Sequence, residues 1–413
     1  MISAPPAAST IARTVAISDP GSLQKYLVDD TSVAWIRRGE GMIGLGCYSC
    51  TDVAGAAEAD AWWNTLLEGL EHTTQLPGLT GTGPLAFGSF TFDPEQSAGV
   101  SRLLVPRVII GRRSGHAWLT VVGDGDLELP EPGSALRAPK AVRVVADEEA
   151  ERRWCRRVAE AVARIERNGL EKVVLARSVT ARAAEPLDVR HLVDTLARDY
   201  PSCWTYAVDG LVGASPEMLV RRERGLATSR ILAGTIRRSG WEETDLKLAS
   251  SLARSSKNLA EHELAVASVA EALAPLCSGM NVPESPYVLE LPNVLHLATD
   301  VTAVAHEDAS TLRLAAALHP SAAVCGTPTS VARAAIAELE GLDRGRYSGP
   351  VGWIDADGDG EWAIALRCGM VDRSDPSAIE LFAGCGIVEG SDPAEELAET
   401  KAKLVPMIDA LVG

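Results

Sequence analysis

A chain of 413 residues that is 46% apolar can bury a large core, which excludes global disorder. Its formal net charge of −17 argues against a nucleic-acid or anionic-membrane surface, and an anionic substrate would need a local cation to neutralise it. No apolar run approaches the ~18 residues of a membrane helix, and Met1–Pro6 lacks the basic-then-apolar pattern of a signal peptide, so a cytoplasmic location is expected.

Residues 1–145 are strand-rich. Ser32–Ile36, Pro84–Phe92, Arg102–Ile110 and Ala117–Val122 are β-branched or aromatic runs set off by Gly, Pro and Asp, with a helix expected over Asp52–Glu71. Pro130–Lys140, rich in Pro, Gly and Ala, reads as a connection. From about Asp147 to Asn168 a helix is predicted, because Trp154, Val158, Ala161 and Ile165 recur at helical spacing and Gly169 supplies a stop. Lys172–Thr180 follows as a strand and Leu187–Asp199 as a helix. Trp204–Val208, Leu211–Ser215 and Met218–Arg222 are strands, and one long helix is expected over 242–274. Val288–Val304 reads as strand, and Ser310–Leu318 and Val331–Glu340 as helices. Val351–Asp355, Glu361–Cys368 and Ile379–Ile387 are three closing strands before a last helix. Strands cluster with hairpin links such as Asp357–Gly360, and helices do not alternate with them regularly. That pattern predicts an α+β fold with large antiparallel sheets, not a doubly wound parallel sheet.

The eight cysteines are scattered, as expected of buried free thiols in a reducing compartment. Cys47 and Cys50 form a lone Cys-x-x-Cys without a second pair, so neither zinc nor redox use is expected of it. The run Asp355–Gly360 superficially resembles a calcium loop but lacks the closing bidentate acid. No Walker loop, dinucleotide glycine fingerprint or Gly-x-Ser-x-Gly elbow is present.

The most informative stretch is Leu381–Lys403, which reads as strand, turn and helix. Gly384 and Gly386 allow a ligand to approach the backbone closely, and Ser391–Pro393 is a helix start. On the helix that follows, Glu396, Glu399 and Lys403 share a face. Two carboxylates and an ammonium beside a glycine-softened strand are suited to holding a hard cation together with an anionic ligand. Lys257–Glu263 puts Asn258 and Glu261 on one helix face, and Gly213–Glu217 puts an acid at a strand start.

Taken together, Lys172–Arg177, Ala214–Glu217, Leu232–Arg238, Lys257–His262, Val294–Thr299, Leu318–Pro328, Arg346–Trp353, Glu361–Cys368 and the terminal stretch resemble the chorismate-utilising enzymes, in family order. These comprise the isochorismate, anthranilate, aminodeoxychorismate and salicylate synthases. The resemblance covers about residues 150–410, and Gly83–Asp93 also resembles a segment of the isochorismate synthases. It implies one large sandwich of two antiparallel sheets with helices packed outside. Residues 1–145 would be the variable first half of that sandwich and no independent domain, and 146–413 the chorismate-binding catalytic region. It further implies Mg²⁺ as cofactor, with Glu261 and Glu399 as ligands, Glu396 as a nearby outer acid, and Asn258 standing where relatives often carry an acid. Arg367, Tyr347, Lys403 and backbone groups near Gly234, Thr235, Ala323, Gly384 and Gly386 would hold the carboxylates of chorismate, with His296 lining the site.

Within the family the resemblance is closest to the isochorismate synthases, which add water at C2 of chorismate and expel the C4 hydroxyl. That chemistry needs a base on the water's side and an acid on the leaving side, and Lys172 and Glu217 fit those roles. A free lysine titrates near ~10.4 and a free glutamate near ~4.3; burial moves a lysine down and a glutamate up. A lysine at 172, where the ammonia-using anthranilate synthases resemble one another in having glutamine, disfavours amination. Salicylate synthase, which continues by eliminating pyruvate, is the alternative; a non-catalytic chorismate-binding homologue is another. No glutaminase partner is needed for water chemistry, a monomer is expected, and nothing in the chain chooses among menaquinone, siderophore and salicylate biosynthesis.

Overall fold

The computed structural model describes residues 10–29, 31–145, 147–167, 169–291 and 294–413, together with all their side chains except those of Lys257 and Glu261. Two large sheets, of thirteen and ten strands among the described residues, form a sandwich. Strand alternation builds it. In Val33–Arg37 of the larger sheet, Val33 and Trp35 face the core between the sheets, whereas Ala34 and Ile36 face outward. In the smaller sheet, Trp353 and Ala363 enter the same inner core, whereas Ile354 and Trp362 face outward. Helices cover both outer faces. Val189–Asp199 and Pro393–Val412 pack on the larger sheet; Ala56–Glu68, Ser256–Leu273 and Thr311–Leu318 pack on the smaller. No helix among the described residues is long and apolar enough to cross a membrane.

Among the described residues pairing is antiparallel except at one edge, where Thr10–Ala16 runs parallel to Leu70–Thr74. The helix Ala56–Glu68 in between supplies the crossover that a parallel pair requires. This helix is shorter than expected because Ser49–Val53 is a strand, paired with Ser101–Val105.

Four runs that read as continuous are divided. Arg102–Ile110 is two strands, Ser101–Val105 in the smaller sheet and Val108–Arg113 in the larger. Pro106, which has no N–H to give a ladder, stands at the crossing. Glu361–Cys368 is likewise divided into Gly360–Ile364 and Cys368–Val371, in opposite sheets, with Arg367 at φ +50° between them. The run 242–274 is two helices, Glu242–Arg254 and Ser256–Leu273. Ser255 interrupts it in an extended conformation, and its side chain accepts a hydrogen bond from the Asn258 N–H, an N-cap that competes with helix continuation. Val288–Val304 is a hairpin in which Tyr287–Glu290 folds back onto Val294–Ala305.

Two of the crossings between sheets present side chains at a corner of the sandwich. The chain passes from Leu211–Ser215 in the larger sheet to Met218–Glu223 in the smaller through Pro216 and Glu217. It returns through Leu366 and Arg367. Residues at such corners belong to neither ladder, and their side chains point into the space where the sheets part.

A candidate active site where the sheets part

A cavity of about 320 Å³ lies at these corners, within the range of small-molecule sites. Its walls come from segments distant in sequence. Lys172 starts the strand Lys172–Arg182, Glu217 and Arg367 come from the two crossings, and Gly384 and Gly386 come from Ala378–Ile387. Asn258 comes from the first turn of Ser256–Leu273, and Glu396, Glu399 and Lys403 from the last helix. Gly234, Thr235, His296, Ala323 and Tyr347 complete it. Thus every candidate site residue read from the sequence lines one cavity, except Glu261, whose side chain lies outside the described residues.

Local structure explains how each is presented. Strand Leu226–Arg237 shifts register against Val294–Ala305 between Leu232 and Thr235. This bulge releases backbone groups from the ladder and turns them to the cavity. Gly234 takes φ +83° there, and a Cβ on it would stand 3.2 Å from the Asn258 Cβ and 3.3 Å from Leu297 Cδ1. His262, buried, holds the bulge to the helix: its Nδ1 bonds to the Ala233 carbonyl at 3.1 Å and its Nε2 to Thr299 Oγ1 at 2.7 Å. Gly384 pairs with Ala176, and a Cβ on it would meet the Leu175 carbonyl oxygen at 2.7 Å and the Tyr347 hydroxyl at 3.1 Å. Asp392 caps the last helix by accepting from the Ala394 and Glu395 N–H groups at 2.9 and 3.0 Å, with Pro393 in the first turn.

The electrostatics suit an anionic ligand. Lys403 Nζ lies 2.6 Å from Glu399 Oε1 and donates to the Gly384 carbonyl at 2.9 Å. Arg367 is buried, and its Nη1 has no hydrogen-bond partner among the described residues. Burial lowers its pKa, the cost of holding a guanidinium away from water. His296 is buried too. Its Nδ1 bonds with Thr235 Oγ1 at 2.9 Å, and its Nε2 has no partner among the described residues. Burial first, then the charges of Arg367 and Lys403, lower its pKa well below the usual range, so it is neutral at pH 7. Glu217 behaves oppositely: burial raises its carboxyl to about 7 against the pull of Lys172 and Lys403. It therefore holds a proton over part of the neutral range.

Two carboxylates on one turn, Glu396 and Glu399, face the same cavity. Burial first, then the charge of Glu399, raises Glu396, whereas Lys403 draws Glu399 down in spite of its burial. Among the described residues no group of three metal-ligating side chains is assembled. An all-oxygen pair that repels itself nevertheless fits a hard divalent cation such as Mg²⁺. Other acids are committed elsewhere. Asp355 accepts from the Gly81, Asp357 and Asp359 N–H groups at 3.0–3.1 Å, and Asp359 pairs with Arg222, so these carboxylates shape a hairpin. All eight cysteines are free thiols, with Cys47 and Cys50 at the surface.

Sequence reasoning missed Phe382 and Ser348 as lining residues. Phe382 stacks on Tyr347 with ring centroids 5.3 Å apart and planes 12° from parallel. The period-2 pattern of Ala378–Ile387 puts Phe382 on the same face as Gly384 and Gly386, a signal that was available. Ser348 adopts φ +63°, which its sequence does not announce.

A family model described as chorismate binding enzyme matches residues 127–412. The chain is 34% identical over 357 residues to the isochorismate synthase MenF of Bacillus subtilis, covering 80% of this chain and 75% of that protein. To the isochorismate synthase DhbC of the same organism it is 36% identical over 340 residues, covering 79% and 81%. The solved structure of MenF, the menaquinone-specific isochorismate synthase from Escherichia coli, superposes with a TM-score of 0.78 at 25% identity, covering 98% of this chain and 95% of that one.

Proposed function

The chain belongs to the chorismate binding enzymes, and on that premise we propose that it converts chorismate into isochorismate with Lys172 and Glu217 as its acid–base pair. The observation that carries this reading is the presence of both residues in one cavity, with Glu217 raised to about 7 by burial. Lys172, buried at the start of its strand, takes a proton from a water molecule whose oxygen adds at C2. The ring double bonds shift, the C4–O bond breaks, and Glu217 gives its proton to the departing hydroxyl, which leaves as water. A carboxyl raised to about 7 is a competent donor near neutrality, whereas an unperturbed one would already be ionised.

Binding needs positive charge in a protein of net charge −17. Arg367 and Lys403 supply it, and the unpartnered Nη1 of Arg367 is available to a carboxylate. Neutral His296 offers Nε2 to the ligand without adding charge. Tyr347, braced by Phe382, closes the floor at Gly384. Glu399 and Glu261, with Glu396 and Asn258 behind them, would hold Mg²⁺, which when bound supplies neutralisation of a substrate carboxylate.

The test is turnover of chorismate by the wild type, Lys172→Ala and Glu217→Gln, each with and without Mg²⁺. Metal-dependent isochorismate formation that both substitutions abolish supports the assignment. Full activity in both variants would overturn the roles.

A further inference from the structure

Two further cavities lie behind the proposed substrate pocket. One, of about 300 Å³, is a groove between the helix Ser256–Leu273 and the start of strand Lys172–Arg182, with Lys172, Ala265, Ala322 and Val388 in its walls. The other, of about 10 Å³, lies behind Glu217 and is bordered by Ala265, Ser321 and Ala323. That is room for about one water molecule. Lys172 is shared by the groove and the substrate pocket, Glu217 by the small cavity and the substrate pocket, and Ala265 by the two rear cavities. The two rear cavities therefore share Ala265 as a common wall, and each reaches one member of the pair from outside the substrate pocket. Ser321 Oγ, buried and without a hydrogen-bond partner among the described residues, stands in the wall beside Glu217. Glu171 and Glu389, both exposed, flank the groove and disfavour entry of an anionic substrate from that side, while water passes.

The proton balance of the reaction gives this arrangement a use. Each turnover moves one proton from the attacking water to Lys172 and one from Glu217 to the departing hydroxyl. One water enters and one leaves, and the enzyme ends with its lysine protonated and its carboxyl ionised. The next turnover requires the reverse transfer, and bound product obstructs the direct way across the pocket. We propose that the rear cavities are a water-lined proton-return route from Lys172, past Ala265, to Glu217, with Ser321 Oγ as the hydroxyl beside the acid. Lys172 gives its proton to water in the groove, and water at Ser321 gives one to Glu217; nothing is oxidised and no other reactant is needed. The route rests on the Lys172 and Glu217 roles proposed above.

The test is rapid-quench kinetics of the Mg²⁺-supplemented enzyme on chorismate. In Ala265→Leu, which fills the junction, the first turnover proceeds at the wild-type rate and later ones slow about tenfold, a change of one decade. The trace then shows a burst of one isochorismate per active site beyond any wild-type burst. Ser321→Ala, which adds no volume and so does not threaten folding, gives the same burst with a smaller slowing, and decides alone if Ala265→Leu does not fold. First and later turnovers that stay equal to wild type, or that slow together, overturn the route. Wild-type enzyme that makes no isochorismate, or Lys172→Ala that retains turnover, defeats the parent reading instead.

Discussion

Two buried sets of an acid and an arginine, Glu340 with Arg344 and Glu217 with Arg367, differ in what they are bonded to. Glu340 and Arg344 are fully engaged. The guanidinium meets the carboxylate at 2.6 and 2.7 Å and donates to the Val174 and Val324 carbonyls, while the carboxylate accepts from the Ala176 N–H. Burial alone would lower the pKa of Arg344, but the Glu340 charge reverses this and the net shift is upward. Arg367 and Glu217 form no such pair: the arginine is shifted down by burial with an unpartnered Nη1, and the acid is shifted up to about 7. A native fold rarely leaves buried polar groups unanswered. The first set is satisfied by the protein and holds strand Lys172–Arg182 to the loop carrying Ala323. In the second, Arg367 Nη1 is left open to whatever enters the cavity.

The contrast predicts opposite costs. Glu217→Gln should lower kcat roughly 10²- to 10⁴-fold, the usual worth of a general acid, with the melting temperature unchanged or raised because a buried ionisable group is gone. Equal loss of stability in this variant would erase the distinction between the sets. Glu340→Ala should instead cost roughly 3–5 kcal/mol of stability, read by denaturant unfolding, because Arg344 is left as an uncompensated buried charge. Arg367→Gln should raise KM for chorismate roughly 10- to 100-fold, the loss of a charged hydrogen bond, with little change in melting temperature. The pH dependence sharpens the same point. In the proposed role Glu217 acts in its protonated form, so the part of kcat/KM that depends on it should be retained below pH ~7 and lost as pH rises through it. That limb should be missing from Glu217→Gln. The smallest effect is expected at the helix break, where Ser255→Ala should cost about 1 kcal/mol by loss of the cap.

Much of this was legible in the sequence, and unevenly. Alternation in Trp204–Val208 and Val351–Asp355 specifies both faces of each strand, so the α+β reading and most elements match the structure. The divided runs did not show, because an apolar stretch such as Glu361–Cys368 reads alike whether it stays in one sheet or crosses to the other. Only tertiary pairing decides that, and Arg367 owes its position to the crossing. Glu399 and Lys403 were readable because helical spacing puts them on one face. Glu217 and Lys172 were not linked by any local pattern; the family resemblance joined them, and the sandwich brings both to one cavity. Glu340 ends the helix Thr329–Leu339 and Arg344 lies beyond it in a loop, so nothing in the sequence says that the two pair or that the pair is buried.

The most direct test of the central claim is product analysis of the purified protein incubated with chorismate, with and without Mg²⁺. The expected product is isochorismate without pyruvate, and only with metal. Salicylate with an equal amount of pyruvate, or chorismate left unchanged under both conditions, would contradict it.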